Sequence, residues 1–386
     1  MTAPLRIGVV GLGAVAQAVH LPLLAKHPEL FRTTAVCDLS ASARDVLGDR
    51  FAVPAGRRYA SADDLLAAGG LDAVAILTSG SHGELAAAAA RAGLAVFCEK
   101  PLAYTLAEVD ELAELEPRLA LGYMKVYDPA VERARALLAD RPPARSVEVT
   151  VLHPPSAPQL AHAALLPPAG DVAADALERL RADELELAER ALGPVPADLA
   201  WLYTEVLLGS IVHDLAVIRY LLDEPVSFDH GDTWPDGETP SSVALEGRLA
   251  GGARVSIRWH YLERYPAYRE EVRVHDEQGT VALTFPAPYL LHAPTRLEVV
   301  DGDEGAERAV CFQSTVEAFE REWLAFASLA LDGTAPRAGI AEGRADLVAC
   351  QGAAAALAAR QGLALGGEAA GLSNGQTTNA GKGGAR

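Results

Sequence analysis

Residues 5–16 read LRIGVVGLGAVA, an apolar run that ends in two glycines separated by one leucine. The run is short and continuous, which is typical of a buried strand, and the residues after it have a helical pattern. A G-x-G-x-x-[GA] turn between a strand and a helix brings backbone N–H groups close to a pyrophosphate. The stretch therefore predicts a dinucleotide-binding turn formed by Gly11, Gly13, Ala14 and Val15.

Strand and helix patterns alternate on both sides of this turn. A helix is predicted over 14–27, and apolar runs such as RTTAVCDL and LDAVAILT alternate with Ala-rich helical runs up to about residue 125, although residues 54–60 carry little pattern. This alternation predicts βαβ units on a parallel sheet. After about residue 145, three hairpin patterns predict an antiparallel sheet.

The fold class that follows is α/β, with two domains and a tail. We expect a Rossmann domain at 1–125 and an α+β domain with an open, mostly antiparallel sheet at 126–365. Residues 366–386 lack apolar periodicity, and we expect them to be disordered.

Asp38 lies 22 residues beyond Ala16, at the end of the second predicted strand. A carboxylate at this place accepts hydrogen bonds from ribose hydroxyls and would repel a 2′-phosphate. The sequence therefore predicts NAD as the cofactor, while Arg44 nearby leaves NADP open.

Composition and charge limit the possible partners. The chain has 33 Lys and Arg against 52 Asp and Glu, a net charge of −19, so we expect neither nucleic acid nor an anionic membrane as partner. The uncharged stretch at 7–25 contains glycines, a histidine and a proline instead of a compact apolar segment, which argues against a signal peptide or a membrane span. The four cysteines are far apart, so we expect no disulfide framework and a reducing cytoplasm. The histidine spacing predicts no metal site.

Four motifs together carry a family resemblance: GLGAVAQAVHLP at 11–22, ILTSGSHGELAAAAARAG at 76–93, EKPL at 99–102 and LGYMKVYDPA at 121–130. They resemble the Gfo/Idh/MocA family of nicotinamide-dependent oxidoreductases, most strongly over residues 5–130. The resemblance implies that the second domain covers the nicotinamide and binds the substrate. It also implies a homodimer or homotetramer formed through the C-terminal sheet.

The resemblance also implies roles for single residues. Lys100 matches the active-site lysine that hydrogen-bonds the reacting oxygen, and such a lysine can polarise a ketone. Lys125 and Tyr127 match the basic and aromatic positions beside the substrate pocket. Further positions that line the cofactor match Thr78, Ser79, His82, Glu99 and Lys100, although His82 could equally cap its helix.

The second half of the site is expected on an apolar helix over 204–222. The family usually shows D-x-x-x-H-x-x-D there, which aligns His213 with the histidine but puts Gly209 and Ala216 at the two aspartates. Asp214, which we also include among the substrate residues, points about 100° away from His213 around a helix and cannot simply replace the missing aspartate. Lys100 and His213 remain as the predicted catalytic pair.

These observations predict an NAD-dependent oxidoreductase that acts on a secondary alcohol, or its ketone, in a sugar, cyclitol or related metabolite. Two alternatives stay open at this point. One is a lyase or glycoside-cleaving enzyme that oxidises its substrate transiently and retains the NAD. The other is a non-catalytic dinucleotide sensor, which the missing aspartate at Gly209 favours and the retained Lys100 and His213 oppose.

Overall fold

The protein is represented by a computed structural model that describes residues 3–167, 170–235, 241–303 and 305–372. The strands of the first sheet are β1 (Leu5–Val10), β2 (Phe31–Cys37), β3 (Arg58–Tyr59), β4 (Ala73–Ile76), β5 (Ala95–Glu99) and β6 (Leu119–Gly122). They are parallel in the order β3-β2-β1-β4-β5-β6. In such a sheet a ligand binds outside the carboxyl ends of the strands, at the point where the strand order reverses. The Rossmann fold predicted from the sequence is confirmed.

The helices of this domain are α1 (Leu21–Lys26), α2 (Ala41–Arg50), α3 (Ala62–Ala67), α4 (Gly83–Arg91) and α5 (Leu106–Glu114). The predicted helix over 14–27 is more complex than expected, because a π-helix at Ala16–His20 precedes α1. Strand β3 lies within residues 54–60, the stretch that carries little pattern. A strand of two residues is too short to show a hydrophobic period.

The second sheet contains β7 (Ser146–His153), β8 (Ser227–Trp234), β9 (Ser242–Arg248), β10 (Arg254–Tyr261), β11 (Arg269–Asp276), β12 (Gly279–Phe285), β13 (Arg296–Asp303) and β14 (Ala306–Gln313). Their order is β14-β13-β12-β11-β7-β10-β9-β8. The three predicted hairpins are present as β9–β10, β11–β12 and β13–β14. The sheet is mostly antiparallel, as expected, although β7 and β10 pair in parallel.

The helices that accompany the second sheet are α6 (Pro129–Ala139), α7 (Ser156–Leu160), α8 (Ala174–Leu192), α9 (Ala197–Trp201), α10 (Val212–Leu222), α11 (Ala318–Asp332) and α12 (Ile340–Arg360). A second π-helix, Leu202–Ile211, runs directly into α10. The predicted helix over 204–222 is therefore a π-helix followed by an α-helix. Across the described parts of the chain, no helix combines the length and the apolar character that crossing a membrane requires.

Helix α11 returns to the first domain and closes its core. The indole of Trp323 stacks on Phe97 of β5 with 4.2 Å between ring centroids, and Phe326 meets both rings edge-on. Phe319, Trp323 and Phe326 belong to the same buried cluster as the apolar residues on one face of β1 and β2, namely Leu5, Ile7, Val9, Phe31 and Val36. The core of the Rossmann domain therefore includes residues from far beyond the predicted boundary at 125.

The first residues of the predicted tail are ordered. A short 3₁₀-helix at Gly367–Gly371 buries Ala369 completely, and Glu368 accepts hydrogen bonds from the N–H groups of Leu106 (2.6 Å) and Ala107 (2.9 Å). These N–H groups begin α5 and have no partner within the helix. Residues 366–372 are thus docked, in contrast to the expected disorder. The remainder of the predicted tail, 373–386, lies outside the described residues.

Candidate active site

A cavity of 450 Å³ lies at the carboxyl ends of β5 and β6, between the two domains. The polar side chains that line it are Glu99, Lys100, Lys125, His153, Ser156, Gln159, Glu205, Ser210 and His213. Its aromatic lining consists of Trp201, Trp259, Tyr261, Tyr268, Tyr289 and Phe319. The predicted pair, Lys100 and His213, therefore lines one cavity, although the two residues belong to different domains.

The glycine turn after β1 has the shape that a dinucleotide needs. Gly11 adopts φ +93°, and a Cβ there would lie 2.7 Å from the backbone of Leu77 and Thr78, so only glycine fits. A Cβ on Gly13 would meet nothing within 4 Å, which leaves its backbone open to a ligand. Val15, two residues further, lines the cavity. The turn therefore fits a nicotinamide dinucleotide whose pyrophosphate lies on Gly13 and the start of the π-helix.

Asp38 lies at the end of β2, as the sequence predicts. Its carboxylate accepts hydrogen bonds from the N–H groups of Leu12 and Ser40, each at 2.8 Å. Arg44 turns its guanidinium back onto the carbonyls of Asp38 (2.5 Å) and Leu39 (3.1 Å). Asp38 is therefore fixed beside the glycine turn, at the place where a carboxylate meets the adenosine ribose.

The side chain of Glu99 is held by a chain of hydrogen bonds that begins on α11. Trp323 Nε1 donates to His20 Nδ1 at 3.1 Å, and His20 Nε2 lies 3.0 Å from Glu99 Oε1. Because an indole N–H can only donate, His20 Nδ1 is the acceptor and its Nε2 donates to Glu99. Burial alone would raise the pKa of Glu99, but the hydrogen bond from His20 and the charge of Lys100 outweigh it and lower the pKa.

Lys100 reaches across the cavity to the second domain. Its Nζ donates to the carbonyl oxygen of Gly209 at 2.6 Å. Burial lowers the pKa of Lys100, and the charge of Lys125 acts in the same direction, whereas Glu99 opposes it. The partner of Lys100 at the position of the missing aspartate is thus a backbone carbonyl on the π-helix. π-Helical turns are frequent at functional sites.

His213 follows Gly209 by four residues and lines the same cavity. Its Nδ1 is buried and has no hydrogen-bond partner among the described residues. Burial, then the positive charges of Lys125 and Lys100, lower the pKa of His213 well below its usual value. A histidine in these surroundings is neutral near pH 7 and can accept a proton.

The predicted substrate residues Lys125 and Asp214 form a buried cluster with Glu270 and Tyr268, two residues that the sequence did not single out for the site. Lys125 Nζ donates to both carboxylate oxygens of Glu270 at 2.6 Å, and the Tyr268 hydroxyl donates to the same carboxylate at 2.5 Å. Burial, together with the charge of Glu270, raises the pKa of Asp214 well above its usual value, so Asp214 is protonated and donates to Glu270. One signal was available, because Glu270 shares the buried face of its strand with Val272.

Three predicted site residues do not line the cavity. Asp214 is buried against Glu270 and does not line the cavity. Tyr127 is also buried outside the cavity, and its hydroxyl accepts from the N–H of Arg337 at 3.0 Å. The buried ring of His82 lies within 2.9 Å of three carbonyl oxygens, those of residues 78, 99 and 101, and thereby joins the ends of β4 and β5.

The remaining predicted cofactor residues lie at the end of β4. Thr78 is half-buried and Ser79 is exposed. The carbonyl oxygen of Thr78 is hydrogen-bonded to the ring of His82, and the backbone of Thr78 packs closely against Gly11. Both residues thus follow β4 at the edge of the sheet where a dinucleotide binds. Among the described residues, no group of three or more His, Cys, Asp or Glu side chains could hold a metal ion.

Comparison with known proteins supports this description of the first domain. Residues 5–127 match the model of the GFO_IDH_MocA family, described as an oxidoreductase family with an NAD-binding Rossmann fold. This domain belongs to the Gfo/Idh/MocA oxidoreductase family. The description of this family supports a nicotinamide cofactor for the domain.

The chain is also similar to named enzymes, and the first of these similarities extends over most of its length. The chain is 24% identical to inositol 2-dehydrogenase from Acidiphilium cryptum, over 86% of this chain and 87% of that protein. It is 35% identical to inositol 2-dehydrogenase from Leifsonia xyli, over 36% of this chain and 41% of that protein.

Solved structures show the same two-domain fold. The myo-inositol 2-dehydrogenase of Lactobacillus plantarum superposes with a TM-score of 0.67 at 19% identity, covering 93% of this chain and 98% of that one. The oxidoreductase domain protein of Kribbella flavida gives a TM-score of 0.71 at 17% identity, with the same coverage of both chains. At these identities the comparison supports the fold alone.

Proposed function

We propose that this chain is an NAD-dependent oxidoreductase that interconverts a secondary alcohol and its ketone in a sugar, cyclitol or related metabolite. The proposal rests on one observation: Lys100 and His213, which belong to different domains, both line one cavity beside the dinucleotide turn. The named relatives, inositol 2-dehydrogenases, support a polyol substrate.

NAD would be held by the glycine turn at Gly11 and Gly13 and by Asp38, with its nicotinamide toward the cavity near Val15 and Lys100. When bound, it supplies the two-electron redox chemistry at the carbinol carbon. We propose NAD rather than NADP, because the Asp38 carboxylate suits ribose hydroxyls and repels a 2′-phosphate.

The residues of the chain itself hold the substrate oxygen and move its proton. The Lys100 ammonium has three N–H groups, of which one donates to Gly209, so two remain for the reacting oxygen. His213 is neutral and accepts the hydroxyl proton during oxidation, or returns it during reduction. Lys100 thus polarises the oxygen, and His213 is the general base.

Two further parts of the proposal concern location and assembly. Cys37, Cys98 and Cys350 are buried and free, which suits a reducing cytoplasm. Strand β14 exposes nearly all its side chains, including Val310 at 49% exposure, and we propose that this sheet joins copies of the chain in a homo-oligomer.

Substitution of the two cavity residues tests the proposed reaction. We expect Lys100→Met and His213→Ala each to lower turnover about a hundred- to ten-thousand-fold. NAD affinity, measured by calorimetry, should stay within about threefold, because neither residue forms the dinucleotide turn. Surface variants Lys26→Met and His230→Ala serve as controls for the loss of a lysine and a histidine. Near-native turnover of His213→Ala would show that another group moves the proton.

A further inference from the structure

Residues 154–167 and 170–173, which together we term the crossing segment, leave the second sheet after β7 and run along the crevice of the Rossmann domain. Near its start, Ser156, Gln159 and Leu160 line the cavity. Further on, the N–H of Leu166 donates to Gln17 Oε1 at 2.9 Å, and Gln17 Nε2 donates to the carbonyl of Leu12, in the glycine turn, at 2.8 Å. The segment therefore follows the path that a dinucleotide takes across the carboxyl edge of the sheet.

At its far end the crossing segment places Asp171 on the beginning of α2. The carboxylate of Asp171 accepts from the N–H of Ser42 at 2.8 Å, and the Ser40 hydroxyl also bonds to it. These hydrogen bonds, that of the Ser42 N–H first, lower the pKa of Asp171. A fixed negative charge from the second domain therefore occupies the N-terminal end of a Rossmann helix.

The start of α2 is the place that a 2′-phosphate would need. Asp38, two residues before Ser40, marks the position of the adenosine ribose, and Rossmann domains that accept a 2′-phosphate hold it just beyond, with an arginine nearby. Here the donors at that place are the Ser40 hydroxyl, the N–H of Ser42 and the Arg44 guanidinium. Asp171 already binds two of these donors, and Arg44 is turned onto backbone carbonyls.

We propose that Asp171 is a specificity-determining residue that fills the 2′-phosphate position with its own carboxylate, so that the second domain contributes to the choice of cofactor. The inference rests on the proposed use of NAD and deepens it. Asp38 and Asp171 act on the phosphate together, because each brings a like charge within the same few ångströms of it. Asp38 additionally bonds the ribose, whereas Asp171 acts by occupancy and repulsion alone.

The test uses Asp171→Asn, which removes the charge and keeps the size of the side chain. Adenosine 2′,5′-bisphosphate and adenosine 5′-phosphate are titrated by calorimetry, because their affinity ratio reports the 2′-phosphate position without the nicotinamide. We expect the ratio to rise about tenfold in favour of the bisphosphate. NAD and NADP titrations should move in the same direction. Asp183→Asn, on the exposed surface of α8, removes the same net charge and should leave the ratio unchanged.

A second pair of variants separates the two carboxylates. Asp38→Ser alone should still discriminate against the 2′-phosphate, and Asp38→Ser with Asp171→Asn should lose that discrimination. If Asp171→Asn gives the same ratio as Asp183→Asn, Asp171 does not set the specificity and the inference is wrong, even where the native chain prefers NAD. If the native chain binds neither NAD nor NADP, the proposed function itself fails.

Discussion

The two walls of the cavity differ in how their polar groups are bonded. The first wall, Glu99 and Lys100 at the end of β5, is tied through His20 to Trp323, and each of its charged groups has a hydrogen-bond partner. The second wall, formed by His213 with Asp214 behind it, keeps unused hydrogen-bonding atoms. Among the described residues, His213 Nδ1 and Asp214 Oδ1 have no partner.

Because of this difference, the two walls suit different tasks, namely holding the substrate and transferring its proton. A carboxylate and an ammonium with fixed partners are organised before any ligand enters, which favours orientation of the substrate. A neutral imidazole without a partner gains a proton without breaking an existing hydrogen bond. The first wall is therefore suited to position the reacting oxygen and the second wall to exchange its proton.

We expect the largest effect from a variant that disrupts the buried ion pair beside the second wall. Glu270→Gln removes the charge that compensates the buried ammonium of Lys125, and an uncompensated buried charge costs about 3 kcal/mol or more. We expect the free energy of unfolding to fall by that amount in urea titrations. Lys125→Met combined with Glu270→Gln should recover part of the loss. The neighbouring Glu271→Gln, which breaks ion pairs with Arg269 and Arg273 on the surface, should cost at most about 1 kcal/mol.

An intermediate effect is expected from the first wall. Trp323→Phe keeps an aromatic ring on Phe97 but removes the donor to His20 Nδ1, so the ring of His20 loses the bond that fixes its tautomer. Leaving that buried acceptor unpaired should lower the stability by about 2 kcal/mol and turnover by up to about tenfold. KM should change less than kcat, and Trp234→Phe, at a more exposed indole, is the matched control. A native kcat in the folded variant would show that the bonds from Trp323 do not position the site.

The smallest effect sharpens the comparison through pH. The folded-state pKa of His213 is lowered, so the unfolded chain binds a proton there that the folded chain does not, and the free energy of unfolding falls as the pH drops below about 6.5. His213→Gln should therefore lose less stability than the native chain between about pH 6.5 and 5.5, by about 1 kcal/mol. His230→Gln, at an exposed ring, should follow the native curve. Equal slopes for the native chain and His213→Gln would contradict a buried neutral His213.

The dinucleotide turn and the first wall could be found from sequence, because short contiguous motifs encode them. The glycine turn, Asp38 at the end of β2 and Lys100 after β5 each lie at the carboxyl end of a strand whose apolar run is visible. Periodicity predicts the strand ends that carry these residues, whereas the role of Lys100 follows from the family resemblance.

The second wall could be predicted only in part, since its contacts are distant in sequence. The bond from Lys100 to the carbonyl of Gly209 spans 109 positions, and that from Lys125 to Glu270 spans 145. No local pattern encodes the π-helix that contains Gly209. Tyr127 matches the aromatic position beside the substrate pocket, yet its buried hydroxyl accepts a hydrogen bond from Arg337. The docked residues 366–372 were missed for the same reason, because Glu368 caps a helix about 260 residues earlier.

The return of α11 to the Rossmann sheet has a consequence for synthesis of the chain on the ribosome. The apolar face that includes Phe97 is complete when residue 127 has been made, but its covering residues Phe319, Trp323 and Phe326 follow about 200 positions later. At roughly 5–20 residues per second, the nascent domain waits on the order of 10–40 s for this cover. During that interval its open apolar surface is a target for chaperones, and a chain that ends before α11 lacks the residues that cover this core.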